Sequence, residues 1–143
     1  MNIWDDEWGE QGEDWSGGGA MSKRLTPRGW EHMLGASLYE LDPGDFVVYH
    51  AHHGSEELLI VLRGRPTLKT PAGERQLEEG EVVHFTTGPG GAHGLRNDTD
   101  GLVRFVMAGV RVTPEVVEYP DLGKVTGQSK HGIWFIHDLT PTN

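Results

Sequence analysis

Three histidines within four residues, followed by two acids, carry the clearest chemistry in the sequence: YHAHHGSEELLIVLRG, residues 49–64. Imidazole nitrogens and carboxylate oxygens are both ligands for divalent ions. Successive side chains of a strand alternate faces, so His50 and His52 point the same way, about 6.8 Å apart along the backbone, and can converge on one ion. His53 falls on the opposite face. A turn at His53-Gly54-Ser55 leads into the next strand, and one of Glu56 and Glu57 faces the two histidines. Alternation alone does not choose between them: Glu57 shares a face with Leu59 and Val61, Glu56 with Leu58 and Ile60. A bare H-x-H pair reads more simply as a polar loop before a core strand. The stretch from Gly80 onwards changes that balance.

The elements that must position these groups are short and numerous. From about Ala36, apolar segments recur as ASLYEL, FVVYH, ELLIVL, PTLKT, EVVHFT, AHGLRN, LVRFVMA, VRVT and IWFIH. Turn signals separate them, among them Asp42-Pro43-Gly44, Pro71-Ala72-Gly73 and the Gly88–Gly91 cluster. Many short strands cut by Gly and Pro predict an all-β sandwich or barrel. GWEHML offers at most one helical turn, and no internal repeat is present.

A chain of 143 residues is one domain. It has no cysteine, which excludes disulfides, thiolate metal sites and a cysteine nucleophile. The net charge of −10 argues against nucleic acid and anionic membranes as partners. The N-terminus has neither the basic start nor the apolar stretch of a signal peptide, and no apolar run approaches the roughly 20 residues of a membrane helix. A soluble, cytoplasmic protein is expected. Residues 1–30 form an acidic, Trp- and Gly-rich segment, expected to be extended or partly ordered, and residues 31–143 form the single domain. Trp4, Trp8 and Trp15 leave two readings of that segment: a flexible tail, or a strap lying over the domain or a second subunit.

The stretch GEVVHFTTGPGGAHGLRN, residues 80–97, supplies the second half of the pattern. With the first half it resembles the cupin superfamily. The first cupin motif is matched by Gly44, His50, His52, Glu57 and Gly64, where the step to Gly64 selects Glu57 over Glu56. The second is matched by Gly80, Gly88, His93 and Asn97. Thr86 stands where the motif has proline, and two extra residues lie between Gly88 and His93. Pro89 is expected to stiffen that longer turn. From about Leu34 to Val125 the chain is similar to small, single-domain bacterial cupins with a sugar-phosphate-isomerase-like label.

The resemblance implies an antiparallel double-stranded β-helix, the cupin jelly roll. It implies one divalent ion, Zn, Fe, Mn or Ni, held by His50, His52, Glu57 and His93. With no thiolate and open positions, such a site suits chemistry more than structure. The function expected is a metal-dependent enzyme acting on a small polar metabolite, of dioxygenase or sugar/sugar-phosphate isomerase type. The alternative is a non-catalytic small-molecule binding or sensing cupin. A homodimer is expected. Other polar residues carry weaker expectations. Arg104 either reaches an anionic ligand inside the barrel or faces the surface. Arg96 points outward, and His84 and His53 support neighbours instead of binding metal. Tyr119-Pro120-Asp121 fixes a turn.

Overall fold

The computed structural model describes residues 1–8 and 16–139, with backbone alone for 133–136; Trp15 lies outside the described residues. Two antiparallel sheets face each other. One has the order β1 (Met21–Arg24), β2 (Leu34–Leu41), β9 (Val103–Val110), β4 (Glu57–Arg63), β7 (Val82–Phe85). The other runs β12 (Gly132–Asp138), β11 (Lys124–Ser129), β10 (Glu115–Tyr119), β3 (Phe46–His52), β8 (His93–Arg96), β5 (Thr67–Thr70), β6 (Gly73–Gln76). Consecutive strands repeatedly cross between sheets, as in a double-stranded β-helix. Among the described residues, helical structure is confined to 3-10 turns at Pro89–Gly91 and Pro120–Leu122. No helix there is long and apolar enough to cross a membrane.

The expected strands recur with one exception: VRVT is not a strand, and β9 ends at Val110. GWEHML forms a turn and no helix, and β2 begins at Leu34. β1, β6, β10 and β11 were not signalled by apolar runs. β6, GERQ, is exposed along its whole length. β11 alternates Lys124, Thr126 and Gln128 with Val125, Gly127 and Ser129, and its backbone pairing with β10 and β12 carries it.

The inward positions of the first sheet form rows that explain where a site can open. Leu41 faces Val103, Tyr39 faces Phe105 and Val61, and Ser37 faces Met107 and Leu59. The last row is Gly35, Gly109 and Glu57. The barrel is thus packed solid at one end and becomes glycine-lined and polar at the other. The packed end joins Leu59, Val61 and Phe105 to Leu68 and Leu95 of the second sheet, all buried. Phe105 is fully buried and stacks on Tyr39 at 5.2 Å between ring centroids. Truncating it to alanine would cost about 3–5 kcal/mol.

The outward face of the first sheet is covered unevenly. Arg104, paired in register with Glu40, is only 2% exposed. The N-terminal segment covers it. Its guanidinium donates to Glu40, to the Ile3 carbonyl at 2.9 Å and to Asp6 at 3.1 Å. The rings of Trp4 and Trp8 lie 5.7 and 5.5 Å from it. Of the two places open to Arg104, the structure takes the outward one, and the tryptophans at 4 and 8 lie over the domain.

Candidate metal centre

His50 and His52 come from the end of β3, His93 from the start of β8, and Glu57 from the start of β4 on the opposite sheet. A β-bulge brings the histidines inward. In the β3–β8 pairing Val47 lies opposite Leu95, yet His50 lies opposite His93, so β3 carries one residue more than β8 between these pairs. The extra residue reverses the alternation. Val47 packs on the core, and His50 and His52 still turn to the same side. Gly94 makes room: a Cβ there would stand 3.1 Å from Tyr49 Cα and 3.2 Å from Val47 O.

The ligand atoms of His50, His52 and Glu57 lie within 4.8 Å of one another, so this group can hold a metal ion. Glu57 Oε1 is 3.0 Å from His52 Nε2 and 3.9 Å from His50 Nε2. His93 Nε2 reaches the same oxygen at 3.2 Å. Two ligand atoms at right angles about an ion, each about 2.1 Å from it, stand about 3.0 Å apart, so the separations to His52 and His93 fit adjacent positions on one ion, and the longer one to His50 fits a wider angle. Glu57 Oε1 and His93 Nε2 are buried and make no well-directed hydrogen bond. Leaving such groups unpaired costs about 1–3 kcal/mol each, and a cation would satisfy both.

Second partners fix which nitrogens face the centre. His50 Nδ1 lies 2.7 Å from the Val48 carbonyl and His93 Nδ1 2.9 Å from the Gly91 carbonyl. A carbonyl can only accept, so each Nδ1 carries the proton and donates, leaving each Nε2 lone pair free in the neutral ring. Burial, then the neighbouring His93 and His52, lowers the His50 pKa to about 4, so the ring stays neutral at ordinary pH. Burial pushes the Glu57 carboxyl upward, but contact with His52 and His93 outweighs it and holds the group well below the usual carboxylate range. Burial would lower His52, yet contact with Glu57 raises it. The centre therefore offers one anionic oxygen and a neutral His50 imidazole, with His52 available once its proton leaves, a donor set suited to a divalent ion.

The family model for the cupin domain matches residues 37–109. The chain is a cupin. A cupin-superfamily sugar phosphate isomerase from Silicibacter pomeroyi is 26% identical, covering 87% of this chain and 81% of its own, with a TM-score of 0.77. A proposed sugar phosphate isomerase from Acidithiobacillus ferrooxidans is 25% identical over the same shares, with a TM-score of 0.75. A protein from Thermotoga maritima, a predicted oxalate decarboxylase, shares the fold at 19% identity and a TM-score of 0.59, covering 65% of this chain and 81% of its own. No curated protein matches the sequence.

The remaining motif positions of this cupin are scaffolding. Asn97 is 1% exposed, donates to the Leu41 and Gly101 carbonyls and accepts from Thr99. In the lengthened loop, Pro89 opens the 3-10 turn, and Gly91 is obligatory because a Cβ would overlap the Thr86 carbonyl at 1.7 Å. Glu56 points away and pairs with the exposed His84 at 3.0 Å, so His84 supports nothing in the centre. His53 likewise pairs outside, with Glu118. Arg96 lies at the surface, forked onto Glu74 at 2.7 Å. One important group had no sequence signal. Glu115 is buried, and its carboxylate accepts from Gly54 N and Ser55 Oγ at 2.8 and 2.7 Å, tying down the turn between His52 and Glu57.

Proposed function

We propose that the protein is a divalent-metal-dependent enzyme of isomerase type, acting on a small polar hydroxy-carbonyl metabolite, with His50, His52, Glu57 and His93 as the ligands. The observation that carries this reading is the convergence of three Nε2 atoms on one buried carboxylate oxygen beside a cavity of about 310 Å³ reaching His52 and Glu57. That volume suits one small molecule, not a polymer. The isomerase descriptions of the two similar cupins, at 25 and 26% identity, support the reaction type.

A divalent ion here supplies Lewis acidity toward a carbonyl or hydroxyl oxygen. The Val48 and Gly91 carbonyls hold His50 and His93 with lone pairs inward. Glu115 keeps the His52–Glu57 turn closed through Gly54 and Ser55. The reading also takes the protein as a homodimer. In support, apolar side chains stand open on the first sheet's outer face, with Leu34 60%, Val82 59% and Val110 45% exposed. Sedimentation of the native protein and of Val82→Glu tests this, with a monomer expected for the variant.

Elemental analysis of the untagged protein tests the main reading. About one divalent ion per chain is expected, and His93→Ala should abolish it. A protein that stays metal-free after supplementation sinks the proposal. Zinc or manganese with interconversion of aldoses and ketoses sustains the isomerase. Iron with substrate-dependent oxygen uptake replaces it with a dioxygenase, and a loaded protein that binds such compounds without turnover replaces it with a binding module.

A further inference from the structure

The cavity beside the cluster is walled by two kinds of residue. The facing glycines Gly35 and Gly109 leave the space, because neither carries a side chain into it. Arg24 and Arg111 line it together with His52 and Glu57. Arg24 ends β1 and pairs in register with Ser37, which places it on the inward face of the first sheet. Arg111 follows β9 and packs on Gly35, where an added Cβ would stand 3.1 Å from its Nε.

Six of the chain's twelve Lys and Arg residues, Arg65, Lys69, Arg75, Arg96, Arg104 and Lys124, pair with acids. Arg24 and Arg111 are not among them, and both line the cavity. Arg111 donates only to uncharged oxygens: the Gly29 carbonyl at 2.6 Å, the Pro27 carbonyl at 2.9 Å and Thr26 Oγ1 at 3.2 Å. Arg24 has no acid partner among the described residues. Burial, then the like charges of Arg111 and Arg28, lowers its pKa. Glu115, which also lines the cavity, has both oxygens engaged by Gly54 and Ser55 and does not neutralise them through a direct contact.

We propose that Arg24 and Arg111 form an oxyanion subsite that receives the phosphate monoester of the substrate, whose hydroxy-carbonyl end reaches His52 and Glu57. Guanidinium forks match phosphate oxygens, and two of them balance a dianion. Both arginines lie outside the matched family segment, residues 37–109. Arg24 lies at the end of β1 and Arg111 just after β9. The assignment of the substrate's two ends rests on the proposed metal ligands; the anion subsite itself does not.

Calorimetric titration of the metal-free protein with inorganic phosphate at fixed ionic strength tests this. One saturable site is expected, weakened about tenfold or more by Arg24→Gln through loss of a charge-assisted contact, and partly restored by Arg24→Lys. Acetate should bind more weakly than phosphate. Absence of saturable binding overturns the subsite, and so does binding that Arg24→Gln leaves unchanged in a folded protein. Acetate binding as tightly as phosphate overturns the phosphate assignment in favour of a carboxylate. Arg111→Lys gives a second reading where Arg24 variants fold poorly. Metal content of the same preparations separates the two proposals: Arg24→Gln should keep its metal. Phosphate binding without metal leaves the subsite standing and removes the enzyme reading, and metal without phosphate binding does the reverse.

Discussion

Glu57 is the residue on which the cluster turns, because its Oε1 is the atom common to all three close approaches. Glu57→Gln keeps the size and removes the charge. Metal affinity should fall by more than about 100-fold, beyond the range seen for supporting residues, in a competition titration against a chromogenic chelator. A variant that retains native affinity would remove Glu57 from the ligand set. The same change should drop His52, since contact with Glu57 is what raises its pKa above 6.5 against burial. That raised pKa sets the pH response of the wild type. Near pH 6 the metal-free protein holds a proton on His52, whereas His50 takes one only near pH 4. Zinc binding must displace the His52 proton, so affinity should weaken as pH falls from 8 to 6. Calorimetry in buffers of different ionisation enthalpy should find more proton release at pH 6 than at pH 8. Equal release at both would contradict the His52 assignment.

The decisive element is the bulge in β3, because without it the chain would send Val47 and His50 to opposite faces. Gly94 permits it by lying against the Tyr49 backbone. Gly94→Ala brings a Cβ to 3.1 Å from Tyr49 Cα, and backbone must yield by a few tenths of an ångström. We expect a circular dichroism spectrum like that of the wild type and metal affinity reduced about 10–100-fold, the range for a change that tilts ligands without removing them. Unchanged affinity would mean that the bulge does not depend on this glycine. The example also shows what the sequence can carry. The residues that meet at the centre were legible through the resemblance to the two cupin motifs: the H-x-H pair, Glu57 in step with Gly64, and His93 before Asn97; alternation by itself left Glu56 and Glu57 open. The face of each strand was legible only where pairing is regular. The bulge depends on how β3 sits on β8, and the roles of Gly91 and Glu115 depend on segments distant in sequence, so no local pattern announces them. β6 and β11 escaped notice for a related reason: backbone pairing, not an apolar stripe, makes them strands. Arg104 had two possible places, and the choice came from the N-terminal segment that covers it.

At the scale of the whole molecule, the centre joins the two sheets. Glu57 belongs to the first sheet, His50, His52 and His93 to the second, and the fully packed core lies toward the other end of the barrel. The open end is held by the Glu115 contacts and strand pairing, and its inward row contains Gly35 and Gly109 in place of interlocking apolar side chains. An ion bound by ligands from both sheets would close that end, and it would bind the folded chain alone, since the ligands come together only there. Binding to the native state stabilises by about 2.7 kcal/mol when free metal is 100 times the dissociation constant. For a domain of this size each kcal/mol raises the melting temperature by about 3 °C, so saturating metal should raise it by about 8 °C. Glu57→Gln should lose most of that rise. Its metal-free melting temperature should fall little, because the mutation removes a buried charge along with its contacts. Differential scanning calorimetry with and without metal on both proteins measures this. An equal rise in the two would place the stabilising ion somewhere other than between the sheets.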